Sequence, residues 1–131
     1  MRLLLDTHVA IWAMTDRPRI RPHGLAMIAD AANTVFVSAA SIWEIAIKHA
    51  LGKRRGAPPF SAAEADRHFR DAGFVLLDIT PAHAAAVEKL PLLHGDPFDR
   101  MLVAQALTEP MRLLTADARV AKYSDLVSLV G

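Results

Sequence analysis

An α/β fold, with a parallel sheet covered on both faces, is what this sequence predicts, on three observations. Short apolar segments with strand character alternate with helical segments along the whole chain. Strands such as Leu3-Leu4-Leu5, Val35-Phe36-Val37 and Leu113-Leu114 are continuously apolar rather than alternating, so both of their sides are expected to be buried. No repeat or compositional break divides the 131 residues, a length that suits one compact domain over residues 1–131.

Each element has a local reason. Leu3 to Leu5 read as a buried strand that stops at Asp6, and Val9 to Met14 as a helix broken by Asp16-Arg17-Pro18. A second helix is expected from Pro22 to about Ala32, with proline in its first turn. Val35 to Val37 form the next strand, ending at Ser38. The segment Ser41 to Leu51 carries Ile42, Trp43, Ile45, Ala46 and Ile47, a helix with a wide apolar surface that Gly52 ends. Ser61 caps a helix to about Ala72, with Glu64 completing a capping box. A strand over Phe74 to Ile79, a helix opened by Pro81 to about Leu90, and a helix opened by Asp96-Pro97 through Leu107 follow. The chain closes with strand Leu113-Leu114, a short helix from Asp117 to Tyr123 and a last strand from Leu126 to Val130.

Composition excludes several classes of function. Hydrophobic residues make up 53% and charged residues 22%, which is apolar enough for a full core and argues against disorder. Without cysteine there is no disulfide, thiolate metal site or cysteine nucleophile, which suits a reducing cytoplasm. No apolar run approaches the roughly 18 residues that span a bilayer, and Asp6 and His8 interrupt the apolar N-terminus too early for a signal peptide. The formal net charge of +1 is too small to argue for nucleic acid by itself.

Four carboxylates carry the functional argument, and each has an ordinary structural role open to it. Asp6 ends the first strand, where a turn residue is common. Glu44 completes an apparent capping box with Ser41. Asp99 lies in the first turn of a helix whose N-cap is better filled by Asp96. Asp117 is placed to cap the short helix after strand Leu113-Leu114. Jointly they say more, because each falls at or just past the carboxyl end of a strand or in the first turn of the helix after it, and in a parallel sheet those positions share one edge. Two carboxylates about 4 Å apart repel by about 4 kcal/mol at an effective dielectric near 20. Gathering four therefore calls for a cation, and an oxygen-only donor set suits Mg²⁺ or Mn²⁺ and disfavours zinc.

The local sequences around these acids are similar to the VapC-like branch of PIN domains. They are Leu4-Leu5-Asp6-Thr7-His8-Val9, Trp43-Glu44-Ile45-Ala46-Ile47-Lys48, Asp96-Pro97-Phe98-Asp99-Arg100 with Val103-Ala104-Gln105-Ala106, and Leu114-Thr115-Ala116-Asp117. The resemblance covers the whole chain, and the Asp-Pro-Phe-Asp-Arg block is its most specific part. It implies a three-layer sandwich around a five-stranded parallel sheet of order 3-2-1-4-5. It implies an endoribonuclease that hydrolyses single-stranded RNA with one or two Mg²⁺ or Mn²⁺ ions held by Asp6, Glu44, Asp99 and Asp117, with Thr115 and Ser38 supporting. It also implies the toxin of a toxin–antitoxin pair: a cytoplasmic homodimer silenced by a VapB-like antitoxin, touching DNA only through that antitoxin.

Other residues are weighed beside these. Lys48, Lys53, Arg54 and Arg55 are the densest basic stretch, either solvated charge or contacts to RNA phosphates. Arg100 either meets phosphate or pairs with an acid. No histidine pair has zinc-site spacing, so His8, His49 and His94 read as structural. Trp12 and Trp43 read as core or dimer packing, with Val9 to Met14 as part of a dimer interface. Two other readings stand beside the nuclease. A phosphotransfer receiver or phosphatase would need an acidic pair after the first strand, which Asp6-Thr7-His8 lacks. A catalytically dead RNA-binding module would lack some of the four acids, all of which are present.

Overall fold

The fold is seen in a computed structural model that describes residues 1–52 and 54–131. Five strands, β1 (Arg2–Leu5), β2 (Thr34–Ser38), β3 (Val75–Leu77), β4 (Arg112–Thr115) and β5 (Val127–Leu129), form one parallel sheet in the order β3-β2-β1-β4-β5. The helices are α1 (Thr7–Thr15), α2 (Pro22–Ala29), α3 (Ala39–Ala50), α4 (Ala62–Asp71), α5 (Pro81–Ala86), α6 (Pro97–Thr108) and α7 (Ala118–Ala121), with 3-10 turns at Arg17–Arg19 and Val87–Lys89. None of the described helices is long and apolar enough to cross a membrane.

Continuous apolarity of the strands is explained by burial on both sides. Leu3, Leu5, Val35, Val37 and Leu114 pack on one face with Val9, Ala10, Ala13, Ile45 and Phe69. Leu4 and Leu113 point the other way, against Leu102, Val103, Ala106 and Val120. Side chains alternate across a strand, so Leu3-Leu4-Leu5 needs helices on both faces to bury all three. Each such leucine contributes about 2 kcal/mol over an exposed one.

The sheet order places the site. From β1 the chain winds outward through β2 to β3, then crosses back to β4 on the other side of β1. The connections therefore diverge above β1 and β4, leaving a crevice at the carboxyl ends of these two strands. Leu5 pairs with both Val37 and Leu114. The next residues on the three strands, Asp6, Ser38 and Thr115, thus end the sheet side by side.

Element boundaries differ from the sequence reading in instructive places. Helix α3 begins at Ala39 with Ser38 as its N-cap, Ser38 Oγ accepting from Ala40 N, so Ser41 and Glu44 lie inside the helix and form no capping box. The box at Ser61 and Glu64 is present. Strand β3 is shorter than the predicted Phe74 to Ile79, and α5 gives way to a 3-10 turn before Leu90. Val9, Ala10 and Ala13 are buried in the chain's own core, which removes them from the predicted dimer surface because they have no face left to offer. Trp43, predicted as core or dimer packing, is 59% exposed and so is not core; its ring meets Phe98 edge-on at 5.0 Å.

Candidate active site

Asp6 leaves β1 and becomes the N-cap of α1, its Oδ1 accepting from Val9 N at 2.8 Å. Its other oxygen accepts from Thr115 Oγ1 at 2.5 Å and from Ala116 N at 3.1 Å. Only 4% of Asp6 is exposed. That burial raises its pKa above the ordinary carboxylate value, against the pull of these three donors. Thr115 also accepts from Asp117 N at 3.0 Å, so one hydroxyl ties two of the acids together.

Glu44 is buried as deeply, at 3% exposure, one and a half turns into α3. Thr7 Oγ1 lies 2.7 Å from Glu44 Oε1 and 2.9 Å from Ser41 Oγ. A threonine has one hydroxyl proton, and the carboxylate accepts but cannot donate. Thr7 therefore donates to Glu44, and Ser41 donates to Thr7. The remaining oxygen of Glu44 is held by Lys48 Nζ, one helical turn on.

Asp99 occupies the first turn of α6. Asp96 caps that helix, its Oδ1 accepting from Phe98 N and Asp99 N, which leaves the Asp99 carboxylate free to face the sheet edge. Its pKa is pushed up to about 6, chiefly by burial. The negative charges of Asp96, Asp6 and Glu44 add to the rise, while the hydrogen bond with His94 opposes it. Asp6 and Glu44 thus act on Asp99 through their charge, although they lie far from it in sequence, while the donors that come within 4.8 Å of one another are those of His94, Asp99 and Asp117.

Asp117 stands at the rim. It caps α7 through Arg119 N, and the Arg119 guanidinium holds both its oxygens, at 3.2 and 2.9 Å. These hydrogen bonds keep its pKa below the ordinary value, opposite to Asp6 and Asp99. Asp6, Asp99 and Asp117 line an open cleft of about 480 Å³ with His8, Trp12, Arg19, Ala116 and Arg119, while Glu44 lies buried and is not part of its wall.

The supporting and basic residues divide. Thr115 sits at the centre of the site, whereas the hydroxyl of Ser38 is taken up in capping α3. Lys48 is bound to Glu44, and with Arg54, Arg55 and His8 it lines a second hollow; Lys53 lies outside the described residues. Arg100 is turned away from the site. Its guanidinium donates to the carbonyls of Val87, Leu90 and Pro91 and to Tyr123 Oη, so it fastens the turn before α6 instead of pairing with an acid.

The sequence reading missed three participants. His94 was expected to be structural, yet its Nε2 lies 2.8 Å from Asp99 Oδ2 and 3.7 Å from Asp117 Oδ2. Thr7 was passed over although it follows Asp6 directly. Arg19 lies over the Trp12 ring, 4.4 Å from its centroid, which puts a stacked cation on the cleft wall. Only for His94 was a signal available: it precedes the Asp96–Asp99 helix start by a turn's length.

The PIN domain family profile matches residues 3–126. The ribonuclease VapC22 of Mycobacterium tuberculosis is 32% identical over 124 residues, spanning 92% of this chain and 91% of that protein. Among solved structures, the fold is similar to VapBC2 from Rickettsia felis bound to a fragment of promoter DNA, with TM-score 0.72, 15% identity and full coverage of both chains. It is similar also to a toxin–antitoxin complex from Klebsiella pneumoniae, with TM-score 0.63, 16% identity and coverage of 96% and 95%. With the family profile matched over nearly its whole length and its sheet in the order 3-2-1-4-5, this chain belongs to the PIN-domain family, in its VapC-like branch.

Proposed function

We propose that this chain is an endoribonuclease that hydrolyses phosphodiester bonds of single-stranded RNA with Mg²⁺ or Mn²⁺. The observation that carries the reading is the convergence of Asp6, Glu44 and Asp99 at one sheet edge, two of them nearly wholly buried and two with raised pKa values. Burying carboxylates together is costly unless a cation compensates them. The donor set is chiefly carboxylate oxygen, which fits a hard divalent ion. Asp6, Glu44 and Asp99 would hold it, with Asp117 completing the same site or serving a second ion. Such an ion supplies Lewis acidity, activating water and neutralising charge on phosphate.

The chain's own residues set the stage for that chemistry. Thr115 and the Ala116 N–H fix the Asp6 carboxylate, and the relay from Ser41 through Thr7 fixes Glu44. Asp96 holds the first turn of α6 so that Asp99 faces inward. Arg19 and Arg119 on the cleft wall, with Lys48, Arg54 and Arg55 in the adjoining hollow, supply positive charge near the acids for a phosphate backbone. The Trp12 ring offers an apolar surface beside the acids.

The same proposal makes the chain the toxin of a toxin–antitoxin pair, cytoplasmic and homodimeric, silenced by a VapB-like antitoxin through which alone it meets DNA. The ribonuclease name of its relative and the complexes among its structural neighbours support this. Exposed Trp43, Ile47 and Leu51, spaced four residues apart on or just past α3, supply apolar surface of the kind such assemblies need. A basic side chain of the antitoxin set among the acids would offset the same repulsion that a metal does.

Purified chain should cleave single-stranded RNA in Mg²⁺ or Mn²⁺ and stop in chelator. Asp6→Ala, Glu44→Ala and Asp99→Ala should each lower the rate by about 100-fold or more while the protein stays folded. Undiminished cleavage after rigorous metal removal would overturn the proposal.

A further inference from the structure

Among the described residues, the one histidine nitrogen that comes within 4.8 Å of two of the acids is that of His94, and its placement goes beyond what four carboxylates require. Resting on the metal-dependent reading above, we propose that His94 Nε2 is a direct ligand of the bound divalent ion, beside Asp99 and Asp117, and that the site therefore favours Mn²⁺ over Mg²⁺.

Distance is the first argument. Nε2 lies 2.8 Å from Asp99 Oδ2 and 3.7 Å from Asp117 Oδ2, and the three donor atoms all lie within 4.8 Å of one another. An ion with bonds of about 2.1 Å holds neighbouring donors roughly 3.0 Å apart at right angles and about 4.2 Å apart when opposite. The 3.7 Å separation falls within that span and the 2.8 Å one lies about 0.2 Å below it, so the donors need little rearrangement to share one ion.

The second argument is preorganisation. The imidazole is only 8% exposed, and its backbone is gripped from two sides. His94 N donates to Tyr123 Oη at 3.0 Å, and Tyr123 Oη lies 3.2 Å from His94 O. Arg100 donates to that same phenol oxygen and to the carbonyls of Val87, Leu90 and Pro91. A loop just before α6 is thus tied down by a half-buried arginine and a tyrosine, and the result is a ring aimed at two carboxylates. Rigid support of this kind is what a ligand requires.

Chemistry is the third. A neutral imidazole adds a donor without adding to the negative charge that already raises the pKa of Asp99. Imidazole suits transition ions, whereas Mg²⁺ keeps to oxygen and retains its waters. Losing His94 should therefore weaken Mn²⁺ more than Mg²⁺, for which a water can take the vacated position.

The test is Mn²⁺ binding to the purified full chain, read by calorimetry and by pulsed electron paramagnetic resonance. The parent should show a ¹⁴N coupling on bound Mn²⁺ that changes on ¹⁵N-histidine labelling. The coupling should vanish in His94→Ala and persist in His8→Ala, which removes the other histidine beside the cleft. Mn²⁺ affinity should fall about ten-fold or more in His94→Ala, and Mg²⁺ affinity by much less. His94→Gln, close in volume, carries the comparison if the alanine variant fails to fold. Stoichiometric Mn²⁺ that is lost in Asp6→Asn yet shows no histidine coupling in the parent overturns the proposal and leaves the metal-dependent reading standing, with His94 merely orienting Asp99. Absence of any Mn²⁺ or Mg²⁺ binding to the parent overturns both.

Discussion

Asp99 concentrates the electrostatic cost of the site in one side chain. Its pKa near 6, against an ordinary value of 3.8, means that the folded chain takes up a proton between those two values that the unfolded chain has already released. Stability from this group therefore falls as pH rises through the window, and the full penalty persists above it. Two pKa units correspond to about 3 kcal/mol; allowing for the partial exposure of Asp99, a penalty on the order of 1–2 kcal/mol is expected. In chelator at pH 7.5, Asp99→Asn should melt above the parent by that amount, and the two should coincide near pH 4. A parent at least as stable as the variant at neutral pH would show that Asp99 bears no such penalty. Asp6 is a poorer probe, because an asparagine amide there would face the Ala116 N–H that now bonds its oxygen. Thr115 makes a second residue-scale prediction. Thr115→Val leaves a buried carboxylate oxygen of Asp6 and the Asp117 N–H each short of a partner, at about 1–3 kcal/mol by denaturant titration. Thr115→Ser should recover most of that loss and the cleavage rate, whereas a serine variant as impaired as the valine one would mean that the methyl group matters, not the hydroxyl.

At the scale of elements, the ends of the helices do what the faces of the helices cannot. Capping places Asp6, Asp96 and Asp117 at helix starts, and because every helix after a parallel strand starts above the strand's carboxyl end, capping and site building use the same positions. The ordinary structural roles of Asp6 and Asp117 are thus real, and they are compatible with the functional ones proposed for them. Packing between elements is equally specific where α2 joins the core that also holds α1. Helix α2 closes against the end of β5 at Gly24, where a Cβ would stand 2.7 Å from Val130 Cβ. Val130 is wholly buried, so it has no room to yield. Gly24→Ala should therefore cost about 1–3 kcal/mol despite the better helix propensity of alanine. Equal or greater stability of the alanine variant in a urea titration would mean that α2 shifts freely on the sheet.

For the molecule as a whole, the crossing from β3 back to β4 is the decisive feature. It brings the first residue after β1 against the last residue of β4, and the Asp6–Thr115 hydrogen bond spans 109 positions of sequence. A site assembled from such distant parts couples ligand binding to global stability. Mn²⁺ at about 100 times its dissociation constant should stabilise the parent by about 2.7 kcal/mol, seen as a higher melting temperature. Asp6→Asn should gain far less, and an equal gain in both would place the ion elsewhere.

What the sequence by itself determined was local or periodic. Continuous apolar strands required two covered faces, and Ser61 and Asp96 announced their helix starts. The order of the acids along the chain placed them at one edge once the sheet was parallel. Boundaries followed wherever a cap or a proline marked them. The start of α3 did not, because Ser38 and Ser41 offer the same capping chemistry and only the end of β2 at Ser38 selects between them. Tertiary structure alone decided who meets whom. The Thr7–Glu44 bond joins residues 37 apart, and Arg100 turns toward the carbonyls behind it rather than to the cleft. His94 joins Asp99 and Asp117 because Tyr123 and Arg100 hold its loop. Side-chain direction in a loop depends on which distant groups satisfy it, and that is settled by the order of the strands rather than by the pattern of residues along any one of them.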